Sequence, residues 1–274
     1  MHKLERRYTS NPFYSAQYSS WNCFFEVYLN DIPEYSDYLP GRSDGNRWNF
    51  ISFLSSGKQH IKIKVFPSTK ENETGKTIAK DAELKIRFYW EEIDNQDRDK
   101  EITFLNFELP PVTMDTSYLE FHLAFEGSVP YSLGGWTNSV DLSKEDPIKL
   151  KQEVYSVYTA FEKAYAGGDI NQVCKMLYNK QLRLGQVYYG NQPEDSKEIV
   201  DIFINDMKMV TEVINHDDAR MEFFGNGRVV GLVWYKGENR GSNGVAFETK
   251  DNKITMYDLL LHRPQAGEPL EIIR

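Results

Sequence analysis

The sequence predicts an α+β protein in two parts. An N-terminal antiparallel β-sandwich is expected over residues 1–146, and an α+β cone with a curved antiparallel sheet over 147–274. Three observations predict this. Up to about residue 145, apolar side chains recur at every second position in one segment after another. From Pro147 they recur at spacings of three and four, and only later return to period two. The join between the two regimes is polar and ends in a proline.

In the first part, Cys23, Phe25, Val27 and Leu29 alternate with Phe24, Glu26 and Tyr28. Phe50–Leu54 is expected to form a hairpin with Ile61, Ile63 and Val65 across a turn at Gly57. Leu84, Ile86, Phe88 and Trp90 make a further strand, as do residues 104–107 and 119–125. Alternation of this kind leaves one face of each sheet wet, as antiparallel sheets allow. Six or more such strands without a helix point to a sandwich.

The second part opens with Pro147, which suits a first helical turn. Leu150, Val154, Val157, Tyr158, Phe161, Ala164 and Tyr165 then form one apolar stripe. Gly167-Gly168 ends that helix, and Asp169 caps a second through Leu177. A third helix carries Ile199, Phe203, Met207 and Val210 on one side. Strands come next over 220–224 and 229–235 around Gly225-Asn226-Gly227, then over 245–249 and 254–262.

The order helix, short helix, helix and antiparallel strands resembles the nuclear-transport-factor-like, or SnoaL-like, cone family. The stretch Ala160–Ile170 is similar to that family's first helix and its A-x-x-x-G-D corner, here Ala164 to Asp169. The resemblance covers 147–274 and implies a curved sheet wrapped on the long helix, with an open mouth. It implies no one reaction, because the family holds enzymes and binding modules alike. A sandwich joined to a helix-bearing module, with acidic charge, also resembles bacterial immunity proteins that neutralise secreted toxins.

The 274 residues are 40% hydrophobic and 27% charged, which is globular composition. No apolar run reaches the roughly 18–20 residues of a membrane helix. The net charge of −9, concentrated before residue 146, argues against a nucleic-acid surface. The N-terminus shows no apolar leader, so the expected location is the cytoplasm, or the periplasm if a leader has been removed. Cys23 and Cys174 lack metal or redox spacing, and the five histidines show no ligand pairing, so no metal or cofactor is expected.

The leading expectation for function is a non-catalytic protein-binding module, an immunity-type inhibitor that occludes a basic protein. Its binding residues are expected on a proline-flanked loop: Asp31, Glu34, Tyr35, Asp37 and Tyr38. One alternative is a cone-fold enzyme with a small-ligand pocket lined by Phe161, Tyr165, Phe203, Trp234, Tyr257 and His262. There Asp258 and His262, four apart on one expected strand, would face the same way as an acid/base pair. The other alternative is a carbohydrate-binding sandwich that displays Trp48 or Trp136.

Overall fold

A computed structural model describes residues 9–68, 75–94, 100–133, 135–190, 192–236 and 239–274. Among the described residues it combines antiparallel sheets with three α-helices, an α+β composition. The chain divides into two compact units. Of the described residues, one holds 9–133 with Val187–Tyr189, and the other 135–186 with Gly190–Arg274.

The described residues of the first unit form eight strands: β1 (Pro12–Trp21), β2 (Cys23–Leu29), β3 (Ile32–Asp37), β4 (Arg42–Asn49), β5 (Gly57–Pro67), β6 (Glu83–Glu92), β7 (Ile102–Glu108) and β8 (Leu119–Gly127). They make two four-stranded antiparallel sheets, ordered β4-β1-β6-β7 and β3-β2-β5-β8. Aromatic rings of one sheet meet those of the other. Tyr18 lies 4.9 Å from Phe25, Trp48 stacks on Tyr35 at 4.6 Å, and Phe104 lies 4.7 Å from Phe125. Residues 50–54 are not a strand. Phe50, Ile51 and Leu54 are buried there as an irregular plug, so apolar content alone is misleading for the expected hairpin.

The expected loop at 31–40 is instead largely strand. Asn30 and Asp31, both at positive φ, make the two-residue turn of a β2–β3 hairpin. Pro33 is tolerated because β3 is an edge strand paired only with β2.

In the second unit, one-turn 3₁₀ helices at Trp136–Asn138 and Leu142–Lys144 lead into α1 (Pro147–Ala166). The Asp146 carboxylate caps α1 by accepting from the backbone N–H groups of Ile148 and Lys149 at 2.9 and 3.2 Å. Then come α2 (Ile170–Val187), α3 (Gln192–Met209), β9 (Val210–Ile214), β10 (Ala219–Phe224), β11 (Val229–Trp234), β12 (Val245–Thr249), β13 (Ile254–Tyr257), β14 (Leu260–His262) and β15 (Glu271–Ile272). The sheets are β10-β11-β14-β15 and β13-β12-β9. The apolar stripe of α1 is buried in one core with residues from both sheets. α2 runs ten residues beyond Leu177, since nothing from 178 to 184 breaks a helix.

The expected boundary at 146/147 moves to 133/134. The segment before α1 belongs to the second unit because it is bonded there. Val140 N–H donates to Arg263 C=O at 3.0 Å, Leu142 N–H donates to Gly227 C=O at 2.8 Å, and Leu142 is fully buried.

The expected single strand over 254–262 is two strands in different sheets, broken at Asp258-Leu259. At the break Gly244, with φ +111°, passes so close that a Cβ would stand 1.9 Å from Tyr257 O. The polar backbone freed there is satisfied by helix side chains. Tyr158 Oη, fully buried, donates to Leu259 C=O and accepts from Leu232 N–H at 2.9 Å. Lys180 Nζ donates to Asp258 C=O at 3.0 Å. Removing the hydroxyl orphans two buried backbone groups, each worth about 1–3 kcal/mol. Tyr158→Phe is therefore expected to speed amide exchange of Leu232 by roughly a hundredfold. A change under threefold would show that the hydroxyl is dispensable.

Candidate functional site

Buried ionisable groups gather at two places in the second unit. The first is a cleft of about 360 Å³ lined by Asn138, Asn179, Arg183, Gln186, His262 and Glu271, among others. Helical spacing puts Asn179, Arg183 and Gln186 on one face of α2, while Val173 and Leu177 point into the core. Strand pairing sets His262 of β14 directly opposite Glu271 of β15.

Three polar groups of the cleft, His262, Glu271 and Asn179, are tied to neighbours. His262 Nδ1 lies 2.7 Å from Ser139 Oγ, and its Nε2 lies 3.9 Å from Glu271 Oε2. Asn179 Nδ2 donates to the same Glu271 oxygen at 2.8 Å. Burial, and then the Arg183 charge, push the His262 imidazole down to about 4. The ring is thus neutral at physiological pH. With a carboxylate on its Nε2 side, the favoured tautomer carries the proton on Nε2 and accepts from Ser139 at Nδ1. Burial also holds the Arg183 guanidinium below its ordinary range, although Glu271 opposes the shift.

Ser139 is held in place by the residue after it, through the Val140–Arg263 backbone bond. The Arg263 side chain in turn clamps two carboxylates. It donates to Glu145 at 2.9 and 3.1 Å and to Glu153 at 3.1 and 2.7 Å. These bonds hold Glu153 below the usual carboxylate range and Arg263 above the usual guanidinium range.

The second place is a buried pair. Glu162 Oε1 of α1 lies 3.3 Å from His216 Nδ1, with the rings of Tyr155, Tyr158 and Trp234 around the imidazole. Burial pushes Glu162 up to about 7 and His216 down, so both favour their neutral forms. Within the described residues, neither Glu162 Oε1 nor His216 Nε2 has a hydrogen-bond partner.

The residues expected to bind a partner are placed otherwise. Asp31 pairs with Lys62 at 2.5 Å and Glu34 is buried. Tyr35 faces inward onto Trp48. Asp37 is buried and accepts from Tyr18, Ser43 and the Leu39 N–H at 2.7, 3.0 and 2.9 Å. Tyr38 donates to Glu26 at 2.5 Å. None is the freely exposed loop group expected, because strand alternation sends Tyr35 and Asp37 to the inter-sheet side.

Asp258 and His262 do not form a dyad, since the strand break puts them on separate segments. The Asp258 carboxylate lies 3.8 Å from Arg274 Nε. The expected interior pocket is filled. Phe161, Tyr165, Phe203 and Trp234 are core residues, and Tyr257 packs against them. Tyr165 stacks on Phe247 at 4.8 Å, and Tyr257 lies 5.5 Å from Phe161 and 5.6 Å from Phe203. Of the expected pocket residues, only His262 lines the cleft. Trp48 and Trp136 are buried and display no flat face.

A larger depression of about 640 Å³ crosses β4, β1, β6 and β7 of the first unit. It is lined by charges of both signs, among them Asp44, Lys85, Arg87 and Glu108, and it holds no buried titratable group apart from Tyr18 of the inter-sheet core. The His262 cleft is therefore the stronger candidate. Among the described residues, no three His, Cys, Asp or Glu side chains converge as a metal site.

Arg183 and Glu271 of the cleft, and Ser139 behind His262, carry no distinctive signal in the sequence. The polar spacing of 179, 183 and 186 is visible there, but it is also what any wet helix face shows.

Glu162 gives a signed test. Its carboxyl titrates near 4.5 when unfolded and near 7 when folded, so the folded state holds the extra proton between those values. Stability from this group is full below pH 4.5 and is lost as pH rises through 7. Glu162→Gln, which keeps the neutral shape, should leave stability near wild type at pH 4.5. At pH 8 it should raise stability by about 2–3 kcal/mol. His216 titrates in both proteins and contributes the opposite slope to each. Denaturant melts at the two pH values decide the matter. A loss of stability at pH 8 would mean that the two groups form an ion pair instead.

The chain matches no protein-family model, no curated protein and no solved structure.

Proposed function

We propose that this chain is a non-catalytic binding protein made of an antiparallel β-sandwich and an α+β cone, with its recognition site in the cleft beneath α2. The observation that carries the reading is the tethering of His262 and Glu271 within the cleft. Ser139 holds His262, and Asn179 holds Glu271 across from it. A site whose groups are already ordered loses little entropy on binding. An imidazole held near 4 is also a weak base at neutral pH, far from the range that suits proton transfer. The filled core supports the same reading, because it leaves recognition to the surface.

An immunity-type role, in which the recognised partner is a protein, is favoured by one further observation. Tyr178 and Leu182, one turn apart on α2 beside the cleft, are 65% and 39% exposed. Exposed tyrosines such as Tyr178 are usual anchors of interfaces, and Leu182 extends the apolar surface beside it.

The side-chain amides of Asn138, Asn179 and Gln186 are built-in reporters. In an NMR screen of small polar fragments, the hits are expected to shift these three together and to be recovered unchanged. Hits that move only resonances of the first unit, or fragments that are chemically converted, would sink the proposal.

A further inference from the structure

The outer face of the β4-β1-β6-β7 sheet, in the first unit, carries a second concavity. Alternation along β1 turns Gln17, Ser19 and Trp21 to this face, opposite Arg87, Lys85 and Glu83 of β6. Arg87 and Lys85 in turn stand opposite Asn106 and Glu108 of β7. We propose that this face is a separate site for a neutral oligosaccharide, with one sugar ring stacked on Trp21 and the adjoining rings in the depression beside it.

The depression of about 640 Å³ is more than the wet face that alternation produces. It is hollowed where Ser19 is small and where the edge strand β4 bulges. Asp44 stands opposite Ser19 and Asn46 opposite Tyr18, so Gly45 is the extra residue between them, at φ +72°. It brings no side chain to the hollow. A second depression of about 400 Å³ shares Lys85 and Glu108 with the first and reaches Glu83, the residue opposite Trp21. The concavity is therefore elongated, which suits a chain of sugars over a single ring.

Trp21 is 38% exposed, whereas Trp48, Trp136 and Trp234 are buried. One face of a sugar ring is made of C–H groups, and a flat indole covers it while the hydroxyls at the ring's edge stay free to bond. Ser19, two residues back along β1, is about 7 Å from Trp21, within reach of those hydroxyls.

The charged groups here are already balanced. Lys85 pairs with Glu108 at 3.1 Å, Arg42 with Asp44 at 3.5 Å, and Arg87 with Glu101 at 2.5 Å. An ionic ligand would have to compete with these pairs. The uncharged groups are left over. Gln17 Oε1 accepts from Arg87 at 3.1 Å, and its Nε2 lies beside Gly45, where a Cβ would stand 3.7 Å away. Among the described residues, no side-chain bond engages Gln17 Nε2, Ser19 Oγ or the Asn106 amide. Hydroxyl and amide groups both donate and accept, as sugar hydroxyls do. An extended peptide fits less well, because β1 and β6 are paired on both sides and offer it no backbone ladder.

The test titrates the full chain with cellohexaose, xylohexaose, mannohexaose and maltohexaose, followed by NMR of the indole Nε1–H groups. The signal missing in Trp21→Phe identifies Trp21. At least one hexasaccharide is expected to shift it and to bind at least tenfold more tightly than its own monosaccharide, with an affinity that added salt leaves unchanged. Trp21→Ala should lower that affinity at least tenfold, and Trp21→Phe, which keeps a flat ring, only a few fold. Should Trp21→Ala fold poorly, Asn106→Ala at an exposed position should lower it severalfold.

A Trp21 signal that none of the four sugars moves, or full affinity in Trp21→Ala, would overturn the proposal. So would equal binding of anionic hexagalacturonate or of a Gly-Ser hexapeptide. The site goes beyond the cleft reading and does not rest on it. A sugar that shifts the Asn138, Asn179 and Gln186 amides in place of the Trp21 indole would belong to the cleft and overturn this assignment alone.

Discussion

The second unit depends on how it handles the break at Asp258-Leu259. A chain that leaves one sheet and enters another must give up ladder hydrogen bonds, and here it does so against a buried core, where unmet polar groups are costly. Tyr158 from α1 and Lys180 from α2 reach the exposed carbonyls of Leu259 and Asp258, and Tyr158 also takes the Leu232 N–H. The two helices are thereby fixed to the two sheets by directional bonds as well as by packing. Lys180 is nearly buried for this purpose, and burial pushes its ammonium down to about 8. Immediately after the break, β14 sets His262 into the cleft and Arg263 into its clamp. The position of the candidate site is thus set by how these carbonyls are satisfied.

The first unit meets a similar problem differently. Tyr18, Tyr35 and Asp37 form a buried hydrogen-bonded cluster between its sheets, joined by Asn46 and Ser43. Such a cluster adds little net stability, but a one-residue slip of β3 would strand its members unpaired. It therefore specifies the register of an edge strand that contains a proline. Burial and the neighbouring Asp37 raise the Tyr18 hydroxyl well above its ordinary range, so the cluster keeps its protons at any physiological pH.

How much of this is legible in the sequence depends on which forces act locally. The α1 stripe, its Asp146 and Pro147 start, its glycine end and the Asn226 hairpin are all legible, because each is set by neighbours within a turn or two. β3 is not, since Pro33 and the nearby Pro40 outweigh the Asn30-Asp31 pair, although both members of that pair take the positive φ of a two-residue turn. The strand break is hidden because the residues that meet Leu259 there, Gly244 and Tyr158, lie 15 and 101 residues away in the sequence. Glu162 and His216 each look ordinary in the sequence. Burial gives them their character, and burial is a property of the assembled core. Ser139 falls within a segment that reads as a linker, where polar composition is also what a tightly bonded strap shows.

That strap has a consequence for how the chain comes to be made. Ser139 meets His262 across 123 positions, and Glu145 meets Arg263 across 118. Contacts at such separation form late, while helices such as α1 close on bonds four residues apart. On a ribosome, the strap and all three helices emerge long before β14 and β15. A nascent chain that pauses ahead of residue 260 has helices but no floor for the cleft. It leaves the apolar stripe of α1 partly uncovered, in a form that molecular chaperones recognise. The cleft is the last part of this unit to come into being, so in a growing chain its presence marks a second unit that has finished folding.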